Sequence, residues 1–373
     1  MTTQNIPYTI AFVVGGLPFG GVETLLLQTV LELQKRNHTP VVINISGTGD
    51  LHESFLGAKI PVLTIGDNTK VLKTTSFSTT YKLRQLIKKV KPDIIHTAHF
   101  SAHYHTRIAA LGVDIPIVTH CHNTKREKKF SRRFADKLLS YVTSIYIAVA
   151  KEVEKQGVQP YNWAKRPCEV LYNAIDLKAL QSASETDIVE MVAPEGPILF
   201  SVCRLVTQKN IDILLDVAAS LKTRIPGLNV IIIGDGPEKT NLIEQAQRLG
   251  LKDNILFTGF RHDVPEIMKA LSKRKALLVM PSSFEGFGIA PLEGFYFGIP
   301  AIISPNVPIV EIAKEAVEVV PVEKTAMTKR IYSLLSDSEK LKHMSTVAQN
   351  VAKQYSIEFY INRLLKIYDK VKK

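Results

Sequence analysis

Residues 281–300 read PSSFEGFGIAPLEGFYFGIP, an apolar, glycine-rich run whose only charges are Glu285 and Glu293, eight positions apart. An ionised carboxylate is costly among such neighbours unless it is paired or hydrogen-bonded, so each glutamate needs a partner. Gly286 and Gly288 suit a loop and PLEGFYF suits a helix, which predicts a helix starting near Gly288 or Ile289. Glu285 then stands in the loop at the end of a strand, while Glu293 lies more than a turn inside the helix. Backbone N–H groups from Phe287 to Ala290 lack intrahelical acceptors and aim at the same space. Two carboxylates beside a row of N–H donors suit a ligand carrying both hydroxyls and an anion.

Cations occupy comparable places. In PILFSVCRLVTQKN, Arg204 follows a strand and Lys209 precedes Asn210 at a helix start. The fork of an arginine and the mobile charge of a lysine converge well on one diphosphate, although surface cations flanking a loop are the plainer reading. VVGGLPFGGVE after the first strand fits neither G-x-G-x-x-G nor G-x-x-x-x-G-K-[ST]. Gly20 and Gly21 nevertheless open a helix whose free N–H groups favour an anion, and a simple strand-to-helix turn explains them equally well. IIIGDGPEK reads mainly as a tight turn, with Pro237 at the first helical position and Gly234 on the ligand-side end of its strand.

Histidines crowd IIHTAHFSAHYH (His96, His99, His103, His105) and VTHCHNTK (His120, His122). Neither H-E-x-x-H nor D-x-D occurs, and strand alternation points Cys121 away from His120 and His122. No catalytic metal is expected. A strand-end histidine facing a substrate is the better use of His120 or His122.

The elements that position these residues alternate along the chain. YTIAFVV, TPVVINI, DIIHTAH, IPIVTHC and SIYIAVA are short, β-branched runs with amphipathic segments between them. After the polar stretch 177–197 the rhythm restarts with PILFSVCR, LNVIIIG, NILFTGF, ALLVMPS and PAIIS. Apolar strands separated by helices imply parallel sheets covered on both faces. The expected architecture is α/β, two Rossmann-like domains: 1–180, a linker over 181–196, and 197–354. The tail 355–373 reads as a helix, with Phe359, Leu364, Leu365 and Tyr368 at helical spacing. Ligands of open parallel sheets gather at strand carboxyl ends, so the cleft between facing loops is the natural site.

Composition narrows the class. The chain has 373 residues and a formal net charge of +12, which points to an anionic partner. Three scattered cysteines argue against a disulfide framework and fit a reducing cytosol. No run is long and apolar enough to span a bilayer, and the N-terminus reads as a first strand rather than a signal peptide. Lys125, Arg126, Lys128, Lys129, Arg132 and Arg133 accompany Phe130, Phe134 and Leu138 at i, i+4, i+8. That pattern is either a helix burying its apolar face or a helix lying on an anionic membrane or acceptor.

FEGFGIAPLE with its E-(x7)-E, together with CRLVTQKN, GDGPEK, FTGFRHDV, LYNAID and GGVE, resembles the retaining GT-B glycosyltransferases of family 4 over most of the chain. HCHN is similar to the H-x-H-N of bacterial exopolysaccharide, capsule and lipopolysaccharide members. The resemblance implies a hexosyl- or N-acetylhexosaminyl-transferase using an NDP-sugar, UDP- favoured, with no metal and no other cofactor. It implies that Arg204 and Lys209 bind the donor diphosphate, Glu285 the sugar hydroxyls and Glu293 the ribose. Amides at Phe287, Gly288 and Ile289 would meet sugar or phosphate, and Gly234 belongs to the same donor side. His122 would contact the sugar near the reacting carbon, Gly21 would approach the phosphate, and the C-terminal helix would cross back to the first domain. Implied partners are a saccharide or lipid-linked acceptor and an anionic membrane at the inner cell face, and not nucleic acid. Cys203 where the family has glycine, and NAID for N-G-[IV]-D, leave the donor class open. A sugar-nucleotide epimerase on the same fold and a silent anionic-surface binder are the alternatives. An NAD oxidoreductase has the wrong glycine spacing.

Overall fold

Runs such as TIAFVV and NVIII are apolar on both faces, so they are stable only in the middle of a sheet with helices above and below. The computed structural model, which describes residues 6–47, 49–66, 76–124, 130–186 and 196–372, with the side chains of 131 and 132 outside the description, shows that arrangement twice. The first sheet joins β1 (Thr9–Val14), β2 (Thr39–Asn44), β3 (Val62–Thr64), β4 (Ile94–Ala98), β5 (Ile117–Cys121), β6 (Ile145–Ala148) and β7 (Cys168–Val170). Its order is β3-β2-β1-β4-β5-β6-β7, with parallel pairing throughout. The second joins β8 (Ile198–Val202), β9 (Asn229–Ile233), β10 (Ile255–Gly259), β11 (Ala276–Met280), β12 (Ala301–Ile303) and β13 (Val317–Val319). Its order is β10-β9-β8-β11-β12-β13, again parallel.

In both sheets the chain starts near the centre and builds outward in two directions. β1 lies between β2 and β4, and β8 lies between β9 and β11. Loops leaving the carboxyl ends of adjacent central strands therefore diverge to opposite faces and leave a crevice between them.

The contacts divide the chain into unit 1, Met1–Ala174 with Ile357–Lys373, and unit 2, Ile175–Ser356. The division falls before the expected linker, whose residues 187–195 lie outside the described part. Ile175 pairs with Ser356 in a bridge, and its N–H donates to the Tyr355 carbonyl at 3.0 Å. The chain thus enters and leaves unit 2 along adjacent segments.

The C-terminal helix, Ile357–Lys372, buries Tyr360, Ile361, Leu364, Leu365 and Tyr368 in unit 1. Phe359 departs from the expected face and is exposed, because the buried stripe runs through Tyr360 instead. Polar ties reinforce the packing: Tyr8 Oη donates to Asp369 at 2.7 Å and Arg36 to Asn362 at 2.6 Å.

The helix Phe130–Leu139 departs from the simple amphipathic reading. Its buried face carries Asp136, paired with Arg107, and both residues are 1% exposed. Its apolar stripe points outward instead, with Phe130 84%, Phe134 47% and Leu138 48% exposed. Lys125, Arg126, Lys128 and Lys129 lie outside the described residues, as does the side chain of Arg132, while Arg133 is exposed.

A buried pair is strongly destabilising when one partner is removed, because the other is left charged and desolvated. Asp136→Ala is expected to cost unit 1 about 3–5 kcal/mol. Replacing Arg107 and Asp136 together by leucine and methionine should recover most of that loss. Urea unfolding followed through Trp163, the only tryptophan and a residue of unit 1, measures both.

Candidate functional site

In unit 2 the chain leaves β8 at Val202 and threads between two other loops. Cys203 N–H donates to Ile233 O at 3.0 Å and Leu205 N–H to Asp235 O at 2.9 Å, stitching it to the turn after β9. On the other side Ser283 N–H donates to Gln208 O at 2.8 Å, and the Gln208 side chain returns a bond to Phe284 O at 2.8 Å. Asn210, in the left-handed region at φ 50°, caps the helix Ile211–Lys222 and donates to Pro281 O at 2.7 Å. Arg204 and Lys209 are therefore fixed at the base by backbone bonds to both neighbouring loops.

The side chains then converge. Lys209 and Glu285 form a direct ion pair, and each side chain is less than a fifth exposed. Glu285 Oε1 also accepts from Ser282 Oγ at 2.7 Å, and Ser282 is itself held through its carbonyl by Ser304 Oγ at 2.5 Å. Arg204 is exposed and engaged by no described side chain.

Gly288 caps the helix Ile289–Tyr296 at φ 100°, so the chain turns sharply after the buried Phe287 and the first N–H groups of the helix come free. A Cβ at Gly288 would meet Val307 Cγ1 at 3.0 Å. Glu293 follows within that helix. Part of the residue reaches the surface, but its carboxyl is enclosed, and this desolvation pushes its pKa up to about 7.

Gly234 has a structural task. It is at φ 135°, and a Cβ there would lie 1.9 Å from the Cys203 carbonyl oxygen. Only a glycine lets the loop carrying Arg204 approach the β9 turn so closely. Burial lifts the Cys203 thiol to about 11, so it remains protonated.

Unit 1 gathers a different set. Gly21 is exposed at the start of the helix Gly21–Lys35, and Gly20 supplies no side-chain cap. The first turn carries its own carboxylate, the buried Glu23, which meets His99 Nε2 at 2.9 Å. His99 adopts φ 74°, an uncommon value for histidine, at the start of the helix Phe100–Ala109. The ring of His122 lies tilted against that of His120, with centroids 4.1 Å apart. Both imidazoles are held well below the usual histidine range, first by burial and then by neighbouring histidines, so both are neutral. Among the described residues no three His, Cys, Asp or Glu side chains assemble as a metal-ligand set.

Two family models cover nearly all of this architecture: "Glycosyltransferase Family 4" matches residues 19–179 and "Glycosyl transferases group 1" matches 184–351. The chain belongs to the group 1 glycosyltransferases.

It is 29% identical over 236 residues to the Escherichia coli UDP-Gal:alpha-D-GlcNAc-diphosphoundecaprenol alpha-1,3-galactosyltransferase, a match spanning 60% of each protein. An uncharacterized glycosyltransferase of Haemophilus influenzae is 23% identical over 91% of this chain and 93% of its own length. The GT-B fold is shared with Anabaena HepE, solved with UDP and glucose, at a TM-score of 0.81 and 22% identity over 96% of this chain and 99% of that one.

Within this family chain, the structure brings together two residues to which the sequence assigned separate tasks, since Lys209 and Glu285 touch. Ser282 and Gln208, which support that contact, escaped sequence reading, and Asn210 was read only as a helix start; the polar residues of PSSFE and TQKN were the signal. Glu23 and its contact with His99 were missed as well, although GGVE contains the glutamate.

The Glu293 shift has a defined sign. Its carboxyl ionises near 4.5 in the unfolded chain and near 7 in the folded one. Between those values the folded protein keeps a proton that the unfolded chain loses. This contribution to stability is complete below pH 4.5 and disappears as pH rises through 7. In the absence of donor, unit 2 should lose up to about 3 kcal/mol from this group between pH 4.5 and 8. Glu293→Gln should flatten that slope in urea unfolding.

Proposed function

We propose that this chain is a retaining, metal-independent glycosyltransferase that moves a hexosyl or N-acetylhexosaminyl unit from an NDP-sugar to a saccharide or lipid-linked acceptor. The observation that carries the reading is the contact of Lys209 with Glu285, made by the loops that also carry Arg204 and lead into the helix at Ile289. A cation touching a carboxylate suits the junction of a sugar and its diphosphate, where negative oxygens and hydroxyls lie one bond apart. On donor binding, Lys209 shares its charge with the diphosphate, and Glu285 Oε1 keeps Ser282 while accepting from sugar hydroxyls. Glu293 accepts from the ribose, and the amides of Phe287, Gly288 and Ile289 meet sugar or phosphate. In unit 1, His122 serves the sugar, and Gly21 the phosphate.

Chemically, the anomeric carbon–phosphate oxygen bond breaks and a bond to the acceptor hydroxyl oxygen forms on the same face. The hydroxyl proton passes to the departing phosphate oxygen. Arg204, Lys209 and the helix N-terminus stabilise charge that grows on the diphosphate as the bond opens. UDP is the favoured carrier, supported by the names of the Escherichia coli relative and of HepE.

The acceptor reading rests on a surface of unit 1. Phe130, Phe134, Leu138, Tyr141 and Trp163 are all exposed, 45% or more in each case. Trp163 meets the edge of Phe134 at 5.8 Å, and Lys137 Nζ stands 4.8 Å from its ring. An aromatic ridge rimmed by cations suits the headgroup region of an anionic bilayer, where a lipid-linked acceptor is found. No described helix is long and apolar enough to cross that bilayer.

Purified protein offered UDP-, GDP- and dTDP-sugars should show thermal stabilisation by one UDP-sugar. Arg204→Ala and Lys209→Ala should each lower kcat by about a hundredfold. The product's anomeric coupling should match that of the donor, and EDTA should leave the rate unchanged. Turnover of donor alone, seen by NMR without acceptor, would instead identify an epimerase. Trp163 emission should shift to the blue with phosphatidylglycerol vesicles and not with phosphatidylcholine, and Phe134→Ser with Leu138→Ser should weaken that binding about tenfold.

A further inference from the structure

A chain of hydrogen bonds runs through the core of unit 1 and ends beside His122. Tyr368 Oη on the C-terminal helix lies 2.7 Å from His96 Nδ1 on β4. His96 Nε2 lies 3.1 Å from His120 Nδ1 on β5. Beyond it, His120 Nε2 and His122 Nδ1 are buried without a partner. His120 is 2% exposed and His122 9%. Both histidines line a narrow cavity that also touches Glu23, His99 and Tyr360.

A neutral imidazole has one N–H and one lone pair, so this chain has a direction. His96 is neutral, since burial lowers its pKa to about 3. If Tyr368 donates, His96 carries its proton on Nε2 and donates to His120 Nδ1, and His120 carries its proton on Nε2. If the direction reverses, His120 presents a lone pair at Nε2 and the phenolic proton of Tyr368 is stranded in the core. An unmade bond of a buried donor costs about 1–3 kcal/mol, wherever it falls. The first direction moves that cost to the cavity, the one place where a ligand oxygen removes it.

We propose that Tyr368 and His96 are positioning residues that hold His120 as its Nε2–H tautomer, and that His120 Nε2–H donates to a substrate hydroxyl or phosphate oxygen beside His122. The role of His120 toward substrate rests on the glycosyl-transfer reading; its tautomer does not. The carbonyl of His120 accepts from His103 Nε2 at 3.0 Å, which holds the backbone while the ring is oriented from the other side.

The test reads the tautomer directly. Protein labelled with 15N-histidine, at pH 7.5 and without substrate, should give long-range 1H–15N correlations that place the His120 proton on Nε2. Tyr368→Phe removes one oxygen and should turn that single pattern into a mixture of tautomers. The same variant should lower kcat about tenfold with the donor KM within twofold, and a merely structural role would leave tautomer and kcat/KM split unmoved. A His120 proton on Nδ1 in the wild type overturns the proposal, with no variant needed. A single Nε2–H tautomer that persists in Tyr368→Phe overturns the part played by Tyr368. If the wild-type tautomer is as expected but no donor sugar is transferred, the glycosyl-transfer reading fails and the relay stands.

Discussion

Parallel pairing from a central first strand governs what the rest of each unit is able to do. Because β8 has β9 on one side and β11 on the other, all parallel, the loops after these three strands open side by side at the carboxyl end of the sheet. Every group of unit 2 proposed to meet the donor comes from those loops or from the helices they start: Arg204 and Lys209 after β8, Gly234 after β9, Glu285 and Glu293 after β11. Unit 1 repeats the constraint, with the glycine turn after β1, His99 after β4 and His122 after β5. Neither set is close in sequence, and both are assembled by strand order alone.

Within that frame the loop ends of the two units present different polar groups. The loops of unit 2 keep Lys209 and Glu285 partly solvated and paired with one another, although Glu293 nearby in sequence is enclosed, so charge is available there at modest desolvation cost. Unit 1 buries imidazoles so thoroughly that they become neutral, and then orders them by hydrogen bonds. The first arrangement suits a charged leaving group, and the second suits uncharged hydroxyls that need defined donors and acceptors.

Much of this was legible in the sequence, for a physical reason. Ten strands are apolar runs and so were visible; β3, β7 and β13 are three-residue edge strands, each carrying a polar residue (Thr64, Glu169, Glu318), whose formation is decided by their neighbours. Gly288 and Ile289 announced their helix because glycine chemistry and capping are local. The Arg107–Asp136 pair and the Tyr368–His96 bond were invisible, since they join residues 29 and 272 positions apart. The outward turn of Phe134 and Leu138 was unreadable for a related cause. A buried salt bridge reversed which face of that helix meets the core, and periodicity alone does not distinguish the two faces.

The bridge between Ile175 and Ser356 makes unit 2 an insertion within unit 1. During vectorial synthesis the seven strands of the first sheet emerge early, yet the helix that supplies Tyr368 to His96 on β4 emerges only after all of unit 2. Until then His96 lacks its Tyr368 partner. The histidine chain is therefore completed only in a polypeptide that has been translated through residue 368.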